Sequence, residues 1–407
     1  MQQPRLILVG GFLGAGKTTL LARAASRLAR QGHRVGLITN DQAANLVDTA
    51  VLNAAVGSPD TPSVQEVSGG CFCCRFGNLV AALKELMTTI EPDIVFGEPV
   101  GSCTDLSATV LQPLKALYGD LFRIAPFSVL VDPTRLRESL ALRATVGLSD
   151  RAGQDTAGQV SRGTFPENVL HIFRTQLDEA DLILLNKADT VADAELGELR
   201  ALLAERVPQT PVLAASALRG DGVEAWLDWV LADRPAGQHI AQVDYDVYAD
   251  GEAELGWLNA SIHLQVRQGP ESGATSEDRL KAGLQTKGTD WRGFCTRLLG
   301  CLRDECRAAS AEIAHVKLAL TAAGCQIVAN LTRNDGQPSV RGDATPSASD
   351  ADLVVNARAQ TPPDRLRALF ESALAAAAGD ALRVTVLSIE SFAPSRPQPT
   401  HRYSSVV

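Results

Sequence analysis

The residues with the clearest chemical meaning form a glycine-rich run near the amino end of the chain. Counted from Gly11, the spacing is G-x-x-x-x-G-K-T and ends at Lys17 and Thr18. In such a loop, backbone N–H groups turn toward phosphate, the lysine reaches the β- and γ-phosphates and the threonine hydroxyl can bind Mg²⁺. The apolar run 6–9 precedes the loop and a helical pattern follows it. This strand-to-helix context predicts a phosphate-binding loop.

A second run, Asn186-Lys187-Ala188-Asp189, follows the apolar stretch 182–185. An aspartate carboxylate accepts the two N–H donors on the Watson–Crick edge of guanine, which adenine does not offer together. The Asn and Lys brace the loop and cover the base. Further along, the loop at 216–218 (Ser216, Ala217 and Leu218) can offer backbone N–H to guanine O6. These two segments predict GTP as the nucleotide.

Three cysteines crowd into the stretch Cys71-Phe72-Cys73-Cys74, directly after a pair of glycines. Two or three thiolates suit a soft or borderline ion such as Zn²⁺. One short cluster cannot complete a tetrahedral structural site, so water, another side chain or a second subunit would have to contribute. Such an open site suits transient metal holding. Small buried cysteines and a redox pair remain the alternatives.

Acidic residues at the ends of two predicted strands are candidates for organising Mg²⁺. Asp41 follows the predicted strand 34–39, and Glu98 ends the strand 94–98, with Gly101 placed near the γ-phosphate. Ligands gather at the carboxyl ends of strands in open α/β sheets. Glu98 is therefore expected to act on Mg²⁺ through water, and Asp41 either does the same or caps a turn. Cys103 is either a further thiolate or a buried side chain, and its isolation favours burial.

Length and charge narrow the class of protein. A chain of 407 residues suggests two domains. The net charge of −9 argues against binding driven by the charge of nucleic acid or of a membrane surface. The first strand begins almost at once and no apolar run approaches the ~20 residues of a membrane span, so a cytoplasmic protein is expected. Eight cysteines are too few for a disulfide scaffold in a chain of this length.

The pattern of elements predicts where those domains lie. Alternating strands and helices indicate a mostly parallel α/β domain over 1–234, with a mobile, switch-like region at 42–62. A Pro- and Gly-bearing linker is predicted at 235–256. Residues 257–393 favour an α+β domain close to β-α-β-β-α-β with one added strand, including a long helix over 277–309. The Pro-rich tail 394–407 is expected to be extended, and its composition slightly favours disorder over docking.

Taken together, these motifs resemble those of the CobW-type metallochaperone GTPases. The resemblance rests on residues 11–19, on Gly-Gly-Cys-Phe-Cys-Cys at 69–74, on Glu98 with Gly101, and on residues 186–189, and it covers roughly residues 4–232. The group includes cobalamin-biosynthesis, zinc-related and nitrile hydratase activator proteins, and it is similar to nickel-insertion GTPases. The resemblance implies a P-loop GTPase whose thiol loop holds Zn²⁺, Co²⁺ or another divalent metal. GTP hydrolysis to GDP would drive metal transfer to a client metalloenzyme or its maturation complex.

The resemblance also implies individual roles. Cys71, Cys73 and Cys74 would hold the transported metal, while Thr18 would ligate Mg²⁺ and Glu98 would organise Mg²⁺ or the attacking water. The residues expected in hydrolysis are Lys17, Asp41 and Glu98. The expected nucleotide-binding set is Gly11, Gly14, Ala15, Gly16, Lys17, Thr18, Thr19, Gly101, Asn186, Lys187, Asp189, Ser216, Ala217 and Leu218. Basal hydrolysis would be slow until a client or a nucleotide-dependent homodimer assists it.

Two segments depart from the pattern of that group. Many members read Asn-Glu-Phe-Gly-Glu where this chain has 40–44, and Glu-Thr-Thr-Gly where it has 98–101. The first change removes a glycine and a second acid, and the second removes a hydroxyl near the phosphate. Two other functions therefore stay open. One is a nucleotide-gated GTPase that escorts or reactivates a corrinoid or nitrile-converting client without carrying metal, and the other is an ATP-dependent kinase that uses the same loop.

Overall fold

The computed structural model describes residues 3–41, 47–56, 63–146, 165–267, 289–344 and 348–407. The chain divides into two compact units. Unit 1 comprises Met1–Ala44, Asp48–Ala253 and Ser395–Val407, and unit 2 comprises Asn45–Val47 and Glu254–Pro394. The last segment of the chain therefore returns to the first unit.

Unit 1 contains an eight-stranded parallel sheet. Seven strands lie in the order β3-β2-β4-β1-β6-β7-β8, and β5 pairs with β1. The strands are β1 (Arg5–Gly11), β2 (Val35–Asn40), β3 (Val64–Val67), β4 (Ile94–Glu98), β5 (Arg123–Ile124), β6 (Ser128–Val131), β7 (Leu182–Leu185) and β8 (Val212–Ala214). The central strands are continuous apolar runs because helices cover both faces of a parallel sheet. The predicted P-loop α/β fold is confirmed.

The helices of unit 1 connect these strands. They are α1 (Lys17–Arg30), α2 (Val47–Val56), α3 (Phe76–Thr89), α4 (Gln112–Tyr118), α5 (Pro133–Val146), α6 (Glu167–Asp178), α7 (Asp193–Arg206), α8 (Val223–Leu231) and α9 (Tyr245–Ala253). A π-helical turn, Ser107–Leu111, precedes α4. The region predicted to be switch-like contains α2, and the rest of it, 42–46 and 57–62, lies outside the described residues.

Part of the predicted linker is helical. Helix α9 lies within 235–256 and begins after Asp244, whose carboxylate accepts hydrogen bonds from the N–H groups of Asp246 and Val247. The stretch before it is also fixed, because the buried Asp181 carboxylate accepts from the N–H groups of Gly237 and Gln238. The Pro and Gly content of this segment predicted a linker, and the hydrogen bonds to Asp181 that hold its first part in place come from a distant part of the chain.

Unit 2 is an α+β fold, as the sequence predicted, and its antiparallel sheet has six strands, one more than expected. The strand order is β12-β11-β10-β13-β9-β14. Within the described residues its strands are β9 (Gly256–Val266), β10 (Glu312–Ala322), β11 (Cys325–Leu331), β12 (Ser339–Arg341), β13 (Asp350–Gln360) and β14 (Leu382–Phe392), and its helices are Trp291–Ala308 and Pro363–Ala378.

The helix predicted over 277–309 begins later than expected. It starts at Trp291 because the Asp290 side chain caps it, accepting a hydrogen bond from the Gly293 N–H at 2.7 Å. Residues 277–288 lie outside the described residues. None of the helices in the described ranges is both long and apolar enough to cross a membrane.

Glu179, which follows α6, is a fully buried carboxyl group. Burial raises its pKa to about 8, and the nearby Asp105 carboxylate adds to the rise. Hydrogen bonds from the Ser107 N–H and the Thr104 hydroxyl oppose that shift. The folded protein therefore keeps a proton that the unfolded chain, with its ordinary pKa of 4.5, releases.

This buried acid predicts a pH-dependent stability. The free energy of unfolding should be highest below pH 4.5 and should fall as the pH rises to about 8, because unfolding releases the retained proton. Glu179→Gln should flatten that slope, whereas Glu205→Gln, on an exposed position of α7, should leave it intact. Thermal unfolding at several pH values across the window measures the difference. Equal slopes in both variants would contradict the assignment.

Candidate nucleotide and thiol sites

The phosphate-binding loop lies between β1 and α1, as predicted. Gly11, Gly14 and Gly16 have φ angles of 128°, 78° and 100°. A Cβ at Gly11 would lie 2.4 Å from the Leu130 carbonyl oxygen, so this turn admits only glycine. The buried Lys17 ammonium donates to the Gly11 carbonyl at 2.8 Å and spans the loop. Ala15 is buried within the turn, and Thr19 lies half-buried in the first turn of α1.

The Thr18 hydroxyl lies between two carboxylates. Its Oγ1 is 2.9 Å from Glu98 Oε1 and 2.7 Å from Asp48 Oδ1. Hydroxyl and carboxylate oxygens are hard donors of the kind that Mg²⁺ prefers, so this set fits a magnesium ion. Glu98 was among the predicted residues, but Asp48 was not. Asp48 lies in the first turn of α2, and nothing in its spacing in the sequence marks it.

Asp41 and Gly101 lie on loops that follow β2 and β4. Asp41 is partly exposed, and its N–H donates to the Val67 carbonyl at 3.2 Å. Its proposed catalytic role stays a prediction. Gly101 packs against the phosphate loop, since a Cβ there would lie 2.7 Å from Leu13 and 3.0 Å from Lys17 Nζ.

The predicted base-binding loop is joined to the phosphate loop by one buried side chain. Asn186 donates through Nδ2 to the Ala15 carbonyl at 2.7 Å, and its Oδ1 accepts from the Ala217 N–H at 2.9 Å. The Ser216 hydroxyl accepts from the Arg219 N–H, while Leu218 is exposed. The structure thus brings 15–16, 186–189 and 216–218 together.

Two charged residues of the base-binding loop have ionic partners. Lys187 adopts a left-handed conformation with φ of 57° and pairs with Asp132. Burial would raise the pKa of Asp132, but the Lys187 ammonium, the Thr134 N–H and the Arg135 charge together hold it below its ordinary value. Asp189 Oδ2 lies 3.4 Å from Nε of the exposed Arg219. A base that binds the Asp189 carboxylate would either compete with this guanidinium for the carboxylate or share the carboxylate with it.

The three thiols of the loop after β3 form a compact cluster. Sγ of Cys71 and Sγ of Cys73 are 2.9 Å apart, and Sγ of Cys73 and Sγ of Cys74 are 3.8 Å apart. All three sulfur atoms lie within 4.8 Å of one another. Two thiolates on a tetrahedral zinc ion lie about 3.8 Å apart, given a Zn–S bond of ~2.3 Å. The Cys73–Cys74 separation matches that spacing, whereas the Cys71 and Cys73 sulfurs would have to move apart by about 0.9 Å to share such an ion.

An asparagine at the end of β2 organises this thiol loop. The side chain of Asn40 donates to the carbonyls of Val67 and Gly70, both at 2.8 Å, and accepts from the Phe72 N–H at 2.8 Å. Gly69 and Gly70 have φ angles of 80° and 150°, which permit the chain to turn back. The role of Asn40 was not predicted, because its partners are about thirty residues away.

A fourth thiol lies beside the cluster, outside the group of three sulfurs that lie within 4.8 Å of one another. Cys103 is buried, as predicted, and its side chain also interacts with those of Cys71 and Cys73. Thiol donors from Cys103, and then from Cys73 and Cys74, lower the pKa of Cys71 against the opposing effect of burial. The Cys71 sulfur raises the pKa of the Cys103 thiol, and the pKa of the Cys73 thiol is raised first by Cys103 and then by Cys71. One thiolate at Cys71 is thus stabilised by its neighbours.

The position of Asp48 yields a prediction. Asp48→Asn should raise the Mg²⁺ concentration needed for tight binding of a GTP analogue by roughly tenfold, the scale of one charged contact. Asp228→Asn, on an exposed position of α8, is the matched control. A Mg²⁺ titration of fluorescent GTP-analogue binding measures the midpoint. An unchanged midpoint in Asp48→Asn would remove Asp48 from the site.

A parallel sheet with this strand-loop-helix phosphate site and an Asn-Lys-x-Asp loop defines a P-loop nucleotide-binding protein. The sequence model described as the CobW/HypB/UreG nucleotide-binding domain matches residues 5–214. The chain belongs to this family, as its motifs predicted.

Several known proteins are similar in sequence to parts of this chain. The zinc chaperone CobW of Sinorhizobium sp. is 28% identical over 61% of this chain and 72% of its own length. The zinc chaperone YjiA of Escherichia coli K12 is 28% identical over 49% of this chain and 55% of its own. The crystal structure of Zn(II)-bound YjiA GTPase from E. coli aligns over 91% of this chain and 99% of that one, with a TM-score of 0.35 and 16% identity.

Proposed function

We propose that this protein is a GTP-hydrolysing metallochaperone. It binds a divalent metal, Zn²⁺ or Co²⁺, through Cys71, Cys73 and Cys74 and delivers it to a client metalloenzyme or its maturation complex. The observation that carries the proposal is the cluster of three thiols within 4.8 Å, in the same unit as the phosphate loop. The names of the zinc chaperone relatives support it. A reducing cytoplasm, the compartment expected from the sequence, would keep these thiols available.

The nucleotide half of the proposal assigns hydrolysis to positioning and charge. Loop N–H groups and the Lys17 ammonium bind the phosphates, and Thr18, Asp48 and Glu98 hold Mg²⁺ directly or through water. Bound Mg²⁺ would neutralise charge that develops on the phosphates. Glu98 and Asp41 orient the water that attacks the γ-phosphorus. The bond from that phosphorus to the β-phosphate oxygen breaks, giving GDP and phosphate.

The metal half of the proposal treats the ion as cargo. Three thiolates and an open position hold a metal without closing a structural site, so an incoming ligand of the client can attack it. Cys74 is the most accessible of the three sulfur ligands, since Cys71 and Cys73 are buried. Transfer would begin at Cys74, and a client thiol, imidazole or carboxylate would replace the protein ligands in turn.

Helix α2 offers a route by which the nucleotide could act on the thiols. Its Asp48 contacts the Thr18 hydroxyl, and the next residue, Thr49, donates to Glu66 on β3 at 2.8 Å. Strand β3 leads directly into the thiol loop. A shift of α2 on nucleotide exchange would therefore change the positions of residues at both the Mg²⁺ site and the thiol loop. Coupling of this kind is reciprocal, so a metal that tightens GTP binding is itself bound more tightly with GTP.

The thiols yield the first test of this function. Metal-free protein holding GDP or a non-hydrolysable GTP analogue, with Mg²⁺ present, is titrated with Zn²⁺ and with Co²⁺. Tight binding should be lost in Cys73→Ser/Cys74→Ser and kept in Cys325→Ser, because Cys325 is an exposed thiol on β11 of unit 2. Absence of binding in the unaltered protein with either nucleotide would exclude metal carriage and favour the client-escort GTPase.

Asp189 yields a test of nucleotide choice. Asp189→Asn replaces a carboxylate that accepts two hydrogen bonds by an amide that accepts one and donates one. It should weaken GTP binding by roughly ten- to a hundredfold. It should favour xanthosine triphosphate (XTP), because xanthine has a carbonyl in place of the amino group of guanine. Competition binding of GTP, ATP and XTP measures the preference. Asp193→Asn, at the start of α7, is the control. An unchanged preference in Asp189→Asn would support the ATP-dependent alternative.

A further inference from the structure

The Pro-rich segment Ser395–Val407, expected to be extended with a slight preference for disorder over docking, is extended and lies on unit 1, where it touches the thiol loop. The Gln398 N–H donates to Cys74 Sγ at 3.2 Å, and the Thr400 N–H donates to the Cys73 carbonyl at 2.9 Å. The Thr400 hydroxyl donates to the Cys74 carbonyl at 3.3 Å. We call this segment the strap.

The sequence of the strap suits these contacts. Pro397 and Pro399 flank Gln398 and have no N–H, so the backbone donors in this stretch are those of Gln398 and Thr400, the two that reach the thiol loop. Prolines also favour the extended conformation before binding, which reduces the entropy lost on docking. Pro397 is buried. The composition of this segment alone suggested disorder. It could not reveal the docking, because the partners lie more than 300 residues away in the sequence.

Aromatic and backbone contacts extend the docked surface beyond the thiols. The His401 ring meets the Phe76 ring edge to face, with centroids 5.0 Å apart, and Phe76 begins the helix that follows the thiol loop. The Tyr403 N–H donates to the Ala108 carbonyl at 3.0 Å, and the Val407 N–H donates to Gln112 Oε1 at 2.9 Å. The strap thus follows α3 and the π-helical turn on one continuous surface of unit 1.

An ion pair to a buried carboxylate anchors the strap. Arg402 Nε donates to Asp105 Oδ2 at 2.7 Å, and the Asp105 side chain is only 1% exposed. The Tyr245 hydroxyl donates to the same oxygen at 2.7 Å. Removing the guanidinium from a buried carboxylate is costly. Asp105 therefore selects an extended segment that carries an arginine at this position.

We propose that the surface around the thiol loop is a docking site for an extended peptide, that the strap occupies it within the same chain, and that this occupation limits access to Cys74. The strap covers the most accessible thiol of the cluster and donates an N–H to its sulfur. A metal, a thiol reagent or a client segment that approaches Cys74 must displace it. The metal part of this inference rests on the proposed function, whereas the protection of the thiol does not.

The test compares two substitutions at one residue of the full chain. Gln398→Pro removes the N–H that reaches Cys74 Sγ, and Gln398→Ala keeps it while removing an exposed side chain. In metal-free protein, the rate at which a maleimide labels Cys74, followed by peptide mass spectrometry, should rise about tenfold in Gln398→Pro and stay unchanged in Gln398→Ala. Equal rates in all three proteins would overturn the proposal.

A second variant tests the anchor and the docking site. Gln398→Pro/Arg402→Ala should label faster than Gln398→Pro alone, while Arg383→Ala, an exposed arginine on β14, should label at the native rate. A synthetic peptide of residues 395–407 added to the double variant should restore slow labelling, and a scrambled peptide should not. Failure of the peptide to protect Cys74, with GTP binding retained as evidence of folding, would overturn the docking site.

Metal release separates this inference from the proposed function. If the protein binds Zn²⁺, the double variant should release it to a chelator faster than the native chain. Protection of Cys74 without any metal binding would support the proposed role of the strap and exclude metal carriage. Metal binding with no change in labelling or release would exclude the strap alone.

Discussion

The buried amide of Asn186 is the interaction on which the nucleotide site depends. Its nitrogen holds the backbone of the phosphate loop and its oxygen holds the loop at 216–218, while its own N–H donates to β6 at Val131. The side chain is 2% exposed, so loss of the amide would leave a carbonyl and an N–H buried without partners. The loops proposed to bind the phosphates and the base are thus coupled through one side chain, so a change in the position of one loop affects the other.

Asn40 performs the same structural task at the end of β2. Both asparagines follow an apolar strand and reach across to backbone groups of another loop, one for the nucleotide and one for the thiols. An amide suits this position because it donates and accepts at once and stays neutral at every pH that the fold tolerates. The two sites therefore keep their shape while the charges of their ligands change.

The residues that could be predicted from the sequence are those whose chemistry is local. The phosphate loop, the Asn-Lys-x-Asp run and the three thiols each lie within a few consecutive residues, so spacing alone defined them. Asp48 reaches Thr18 from thirty positions away, and its role depends on the path of α2. The hydrogen bonds of residues 235–256 and of the strap could not be predicted for the same reason, since Pro and Gly content reports local stiffness and says nothing of distant acceptors such as Asp181.

The contact between Gln398 and Cys74 joins positions 324 residues apart, and this separation has a consequence for biosynthesis. A ribosome adds about 5–20 residues each second, so roughly 16 to 65 seconds pass between synthesis of the thiols and synthesis of the segment that covers them. During that interval the nascent chain already carries the phosphate loop and all three cysteines. In a newly made molecule Cys74 therefore stays uncovered throughout that interval, open to metal or to oxidant, until the strap has been synthesised and can dock.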